Sequence, residues 1–163
     1  MAHVALVGVA VFFSSFIREP TMSISARNVF PGTVSALREG PIHAEVEIAI
    51  AGGDKVVAIV TSASAASLGL KVGAPAVAVI KAPAITLLAA ESAWRFSARN
   101  QLKGVVSAIA PGAVNSQVKA ALPGGAVISA VVTNEAVAEL ALAVGTPVTA
   151  MFKAGQVIVG VPA

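Results

Sequence analysis

The chain has 163 residues, 56% of them hydrophobic and only 12% charged, with a formal net charge of +3 and no cysteine. The missing cysteines exclude disulfides and thiolate metal sites. So few charges cannot coat a small monomer, which implies extensive burial between subunits, yet no stretch reaches the roughly 20 apolar residues of a membrane span. The Lys and Arg residues are scattered, there is one Trp and no Tyr, and the basic excess therefore fits a small anion better than a nucleic acid.

In chain order, Val4 to Ile17 is an apolar run of the length of a signal-peptide core. No Lys or Arg precedes it, and Arg18-Glu19-Pro20 after it is not a small-residue cleavage site. Met22 stands directly before the first organised segment. The reading is that the functional chain starts at Met22 and that residues 1–21 are a mis-assigned or disordered extension.

Ser25-Ala26-Arg27-Asn28 then returns as Ser97-Ala98-Arg99-Asn100, an offset of 72 positions that holds without a gap. Gly52-Gly53 maps to Gly124-Gly125, Thr61 to Thr133, Pro75 to Pro147, and Lys81-Ala82 to Lys153-Ala154. Alanine richness does not align Gly, Pro, Arg, Asn and Lys, so the chain is a tandem duplication. Its domains are residues 22–90 and 96–163, each near the lower size limit for an independent core. The short linker Glu91–Arg95 predicts two packed domains rather than freely swinging ones.

Within the first repeat, Asn28 to Ala36 reads as a strand kinked at Pro31-Gly32. Ala44 to Ile50 alternates, with Val46, Ile48 and Ile50 on one face and Glu45 and Glu47 on the other, which is a half-buried strand. Ala51-Gly52-Gly53-Asp54 is a hairpin turn and Lys55 to Val60 the returning strand. Thr61-Ser62-Ala63-Ser64 starts a short helix that ends near Leu68-Gly69-Leu70. Ala76 to Lys81 and Ile85 to Leu88 are the last strands, and the second repeat copies the pattern. The predicted fold is all-β: two tandem OB-like five-stranded barrels, each with a short helix.

Catalysis has little to build on. The only histidines are His3 and His43, and His43 becomes Asn115 in the second repeat, so neither a Ser-His-Asp arrangement nor a histidine metal site is available to both copies. The carboxylates Glu45 and Glu47 become Gln117 and Lys119. The chain reads as a binding protein and not an enzyme. What the duplication retains are oxyanion donors: Ser and Arg at the start of each repeat, Thr at the helix start, and Lys near the end. The plainer alternatives are surface ion pairs for Arg27 and Arg99, solvated strand ends for Lys81 and Lys153, helix caps for Thr61 and Thr133, and backbone-holding roles for Asn28 and Asn100.

Taken together, Ser-Ala-Arg-Asn, Gly-Thr-Val, Ala-Glu-Val, Val-Thr-x-x-Ser, Leu-Gly-Leu and Val-Ile-Lys-Ala resemble the Mop domain of molybdate-binding proteins, and the tandem pair resembles the di-Mop molbindins over residues 22–163. The resemblance implies trimers that bind molybdate or tungstate where Mop domains of different subunits meet. It also implies cytoplasmic molybdenum storage or homeostasis, with no nucleic-acid or membrane partner. The ligands it implies are Ser25, Arg27, Thr61, Ser64, Lys81 and Ala82 in the first domain, and Ser97, Arg99, Thr133, Lys153 and Ala154 in the second. A further oxyanion site near the trimer axis is implied at the turns Ile42-His43 and Val114-Asn115. Ala136 stands where the first repeat has Ser64, a lost hydroxyl worth about 1–2 kcal/mol if nothing replaces it, so the second site is expected to be weaker. The competing expectations are a molybdate-sensing regulatory module that acts through a partner, and an OB-type nucleic-acid binder.

Overall fold

The computed structural model describes residues 22–89 and 91–163; the expectation for residues 1–21 lies outside them. The first repeat runs β1 (Asn28–Glu39), β2 (His43–Ile50), β3 (Lys55–Thr61), helix α1 (Ser62–Ser67), β4 (Pro75–Ile80), a 3-10 turn (Ala82–Ala84) and β5 (Thr86–Ala89). The second runs β6 (Asn100–Pro111), β7 (Asn115–Ala121), β8 (Val127–Thr133), helix α2 (Asn134–Glu139), β9 (Pro147–Phe152), a 3-10 turn (Ala154–Gln156) and β10 (Ile158–Gly160). The alternation in β2 is the one the sequence predicts: Ala44, Val46, Ile48 and Ile50 are buried and Glu45 and Glu47 lie on the outer face. The fold is all-β, with two five-stranded sheets and two short helices.

The expected kink at Pro31-Gly32 is not there. Both residues sit in register with β4, and the ladder to β2 begins only at Gly32, so Pro31 withdraws no donor from that side. The irregularity falls between Val34 and Ala36, and recurs in β6 between Val106 and Ala108. At this bulge the Ser35 hydroxyl donates to the Glu47 carboxylate at 2.8 Å.

The sheets do not follow the repeat boundaries. Their strand orders are β10-β4-β1-β2-β3 and β5-β9-β6-β7-β8. Each repeat therefore gives its last strand to the other, with Ile158 opposite Val79 and Leu87 opposite Ala150. A single hydrophobic core results. It joins Val34, Ile48, Val56 and Ile80 to Val106, Ile128 and Phe152, with Leu87 and Val159 of the exchanged strands inside it.

Two buried asparagines fasten the halves together. Asn28 accepts from the Ser129 amide at 2.7 Å and donates to the Ser129 carbonyl at 2.8 Å. Asn100 treats Val57 in the same way, at 2.8 and 2.7 Å. Each side chain thus acts as one more rung on the open edge of the other repeat's outermost strand.

Candidate anion-binding site

Within one repeat, the expected ligands fall into two groups at opposite ends of β1. Asn28 lies opposite Ile80, so Arg27 and Lys81 sit together just beyond that rung. Thr61 lies opposite His43, and Ala44 lies opposite Glu39, which puts Thr61 at the far end of the ladder. The second repeat is built alike, with Asn100 opposite Phe152 and Thr133 opposite Asn115. Ser25, Arg27, Lys81, Ser97, Arg99 and Lys153 are exposed, whereas Ala82 and Ala154 are buried at the starts of the 3-10 turns.

The strand exchange brings unlike halves toward each other. The 3-10 turn of the second repeat packs against β3, and that of the first packs against β8. Thr61 and Ser64 open onto a cavity of about 430 Å³ whose other walls include Ile59 and Leu68 and, from the exchanged strand, Ile158 and Val159. Arg99 comes to the same region. Its guanidinium makes a two-pronged bond to Glu45 at 2.6 and 3.2 Å, and Glu45 is paired with Ile59, about 7 Å short of Thr61 along β3. The guanidinium of the second repeat thus lies toward the same end of β3 as the hydroxyls of the first, at a seam between the repeats.

The helix starts supply donors in two different ways. Thr61 accepts from the Ser64 amide at 3.0 Å and donates its own proton to the Ser64 hydroxyl at 2.8 Å, which leaves the Ser64 proton for an outside acceptor. Thr133 accepts from the Ala136 amide at 3.1 Å. With no hydroxyl at position 136, the Thr133 proton itself is left over. One free hydroxyl donor therefore remains at each helix start despite the Ser64-to-Ala136 difference.

The turns that carry the implied axial site are fixed to the same helix starts. The Ile42 carbonyl accepts from the Ser62 amide and the Val114 carbonyl from the Asn134 amide, both at 2.9 Å. The side chains of Ile42, His43, Val114 and Asn115 all face outward. Asn28 and Asn100 take the backbone-holding role. Arg99 makes the surface ion pair that was the plain reading for either arginine, while Arg27, Lys81 and Lys153 have no ion-pair partner among the described residues.

Sequence reasoning missed three participants. Glu45 reads from the sequence as an outward strand carboxylate without a counterpart, since the second repeat has Gln117, and its partner Arg99 lies 54 positions away in the chain. Ile158 and Val159 were assigned to their own repeat, since a strand exchange leaves no mark in hydrophobic periodicity. Among the described residues, no three His, Asp or Glu side chains come together as a cation site, and no helix is long and apolar enough to cross a membrane.

Two five-stranded β sheets that exchange their last strands, with a helix start of hydroxyl residues in each repeat, define a tandem-repeat all-β class of fold. The TOBE domain family matches residues 24–87 and 97–159, and the chain belongs to that family in two tandem copies. It is similar to the molybdenum transport protein ModE of Herbaspirillum seropedicae, 43% identical over 91% of this chain and 55% of that protein. It is also similar to the molybdenum-pterin-binding protein MopA of Rhodobacter capsulatus, 39% identical over 87% of this chain and 54% of that protein. The chain thus spans about half the length of the curated relatives it matches. Among solved structures, the cytoplasmic molybdate-binding protein ModG, in a form with molybdate bound, superposes with a TM-score of 0.84 at 55% identity, covering 86% of this chain and all of ModG. The resemblance to Mop proteins read from the sequence is borne out.

Proposed function

We propose that the chain binds molybdate, or tungstate as its near-isostere, and stores it without transforming it. The observation that carries this reading is the seam itself. Exposed cations with no carboxylate partner among the described residues, Arg27, Lys81 and Lys153, lie at strand ends beside the 3-10 turns that pack against β3 and β8 of the other repeat, the strands that lead into the hydroxyl-bearing helix starts. A tetrahedral dianion is matched by such a set of N–H and O–H donors. The 55% identity to ModG, a protein seen with molybdate bound, gives the anion its name.

Completion of each site falls to further copies of the chain, assembled as a trimer in the cytoplasm. Ile42, Val72, Val114, Val144 and Ile158 are each at least 60% exposed in the single chain. They include two pairs of equivalent positions in the duplication, Ile42 with Val114 and Val72 with Val144. Light scattering should give about three times the 16.1 kDa chain mass. A nucleic-acid role is disfavoured because the strand phenylalanines, Phe30 and Phe152, are buried and offer no stacking surface.

The test is calorimetric titration of the full chain with molybdate, with sulfate as competitor. Saturable binding that excess sulfate does not displace is expected, and an inert protein of intact oligomeric mass would refute the reading. The 43% identity to ModE supports a second reading, the ligand-sensing half of a regulator. A molybdate-dependent change in hydrogen exchange on an outer surface, remote from the seams, would favour it over plain storage.

A further inference from the structure

The duplication leaves one difference between its seams that bears directly on the anion. Arg99 is held by Glu45 in a two-pronged bond. The equivalent of Glu45 in the second repeat is the neutral Gln117, and Arg27 has no ion-pair partner among the described residues. We propose that Glu45 is a built-in competitor for the oxyanion at the Arg99 seam, so that the two seams of one chain fill at different ligand concentrations. The inference rests on the oxyanion-binding reading above.

The physical argument concerns which donors are free. A guanidinium offers a fixed fork of N–H groups, and a carboxylate engages the same fork that an oxyanion needs. At the Arg27 seam the ligand meets a solvated fork. At the Arg99 seam it must first displace Glu45, and an unmoved carboxylate would also repel a dianion. The pair is suited to such an exchange, because the Arg99 side chain is 53% exposed and that of Glu45 is 26% exposed. It is neither buried beyond reach nor fully dissolved in water.

The released carboxylate has a place to go. Arg38 is the direct cross-strand partner of Glu45, and it too has no ion-pair partner among the described residues. Directly opposite residues share one face of the sheet, so Glu45 can turn from Arg99 to Arg38 without leaving a charge unpaired. The other charges on this face are Glu47 and Lys55, already paired with each other at 2.7 Å. A partly exposed ion pair of this kind shifts an equilibrium by about two- to fivefold, which separates two sites without abolishing either.

The test is molybdate titration calorimetry on the full chain and on four variants. Arg99→Ala and Arg27→Ala assign the two classes of site by deleting one each. Glu45→Gln, which gives the first repeat the residue found in the second, should tighten only the class that Arg99→Ala removes, by about two- to fivefold. Gln117→Glu, which retains Glu45, should weaken only the class that Arg27→Ala removes, by a similar factor. Thermal unfolding of each ligand-free variant separates affinity from folding. An affinity unchanged or lowered by Glu45→Gln, or raised equally at both classes, would overturn the proposal and leave the molybdate reading standing. A wild-type protein without molybdate heat would overturn the function itself, and this inference with it.

Discussion

Replacing Asn28 by alanine is expected to be the most damaging polar-to-Ala change in the chain, for reasons that belong to the fold. The side chain is 1% exposed and makes three bonds: with the Ser129 amide at 2.7 Å, the Ser129 carbonyl at 2.8 Å and the Ile80 carbonyl at 3.2 Å. Ser129 is itself buried, so truncation leaves an amide and a carbonyl facing a void. Each orphaned buried group costs about 1–3 kcal/mol, and the sum for two, about 2–6 kcal/mol, is a large share of the roughly 5–15 kcal/mol that holds a small protein folded. Asn28→Asp should cost at least as much at neutral pH. It retains the acceptor for the Ser129 amide but turns an anionic oxygen toward two carbonyls. Urea unfolding followed by circular dichroism measures both variants. A loss below about 1 kcal/mol for Asn28→Ala would refute the view that these rungs, and not the anion site alone, account for the asparagine that ends each Ser-Ala-Arg-Asn.

Four further outcomes are expected. Ala141 has φ 49 at the position where the first repeat has Gly69 with φ 62, and Ala141→Gly should raise stability by about 0.5–1 kcal/mol in thermal melts by relieving a left-handed alanine. A Cβ on Gly124 would stand 2.6 Å from the Gly52 Cα and carbonyl oxygen. Gly124→Ala should therefore cost about 1–3 kcal/mol by prising the two hairpin turns apart; an unchanged urea midpoint would contradict that contact. Lys55 and the Ser35 hydroxyl hold the Glu47 carboxyl below its ordinary value, so its contribution is present above the unfolded-state pKa and is lost as pH falls through the folded one. Glu47→Gln should flatten that acid limb in unfolding midpoints taken across pH. Finally, a fragment of residues 22–90 lacks β10 and retains an unpartnered β5, so it should self-associate by trading β5 between copies; a monomeric fragment in light scattering would count against this.

The elements were legible because each carries a local cause. Glutamate alternating with apolar residues marks β2, Gly52-Gly53 marks its hairpin, and Thr61 and Thr133 cap the helices as hydroxyl residues do. The duplication also exposed the donors, since Arg, Lys and Thr recur at one offset amid changing neighbours. What was not legible depends on which chain segment meets which. The exchange of β5 and β10 preserves hydrophobic pattern and strand length, so no periodicity registers it. A kink is expected at Pro31-Gly32 because proline and glycine are strong local signals, but the register shift falls at Ser35. That shift accompanies a serine whose hydroxyl reaches across to the neighbouring strand.

Strand exchange gives the duplication its purpose. In a string of two self-contained barrels, each helix start and each basic strand end would stay at opposite ends of its own sheet, as the register of β1 with β2 and β4 requires. Once the last strands cross over, the 3-10 turn that carries Lys153 and Ala154 packs against β3, and its mirror packs against β8. The basic strand end of one repeat is thereby brought to the strand that leads into the helix start of the other. The same crossing places Arg99 against Glu45, an encounter impossible within either repeat alone. On the proposed reading, a change in a single repeat at a seam alters one site and spares its twin. Divergence there, as between Glu45 and Gln117 or Ser64 and Ala136, can tune the two sites separately while the buried asparagine rungs keep the frame symmetric.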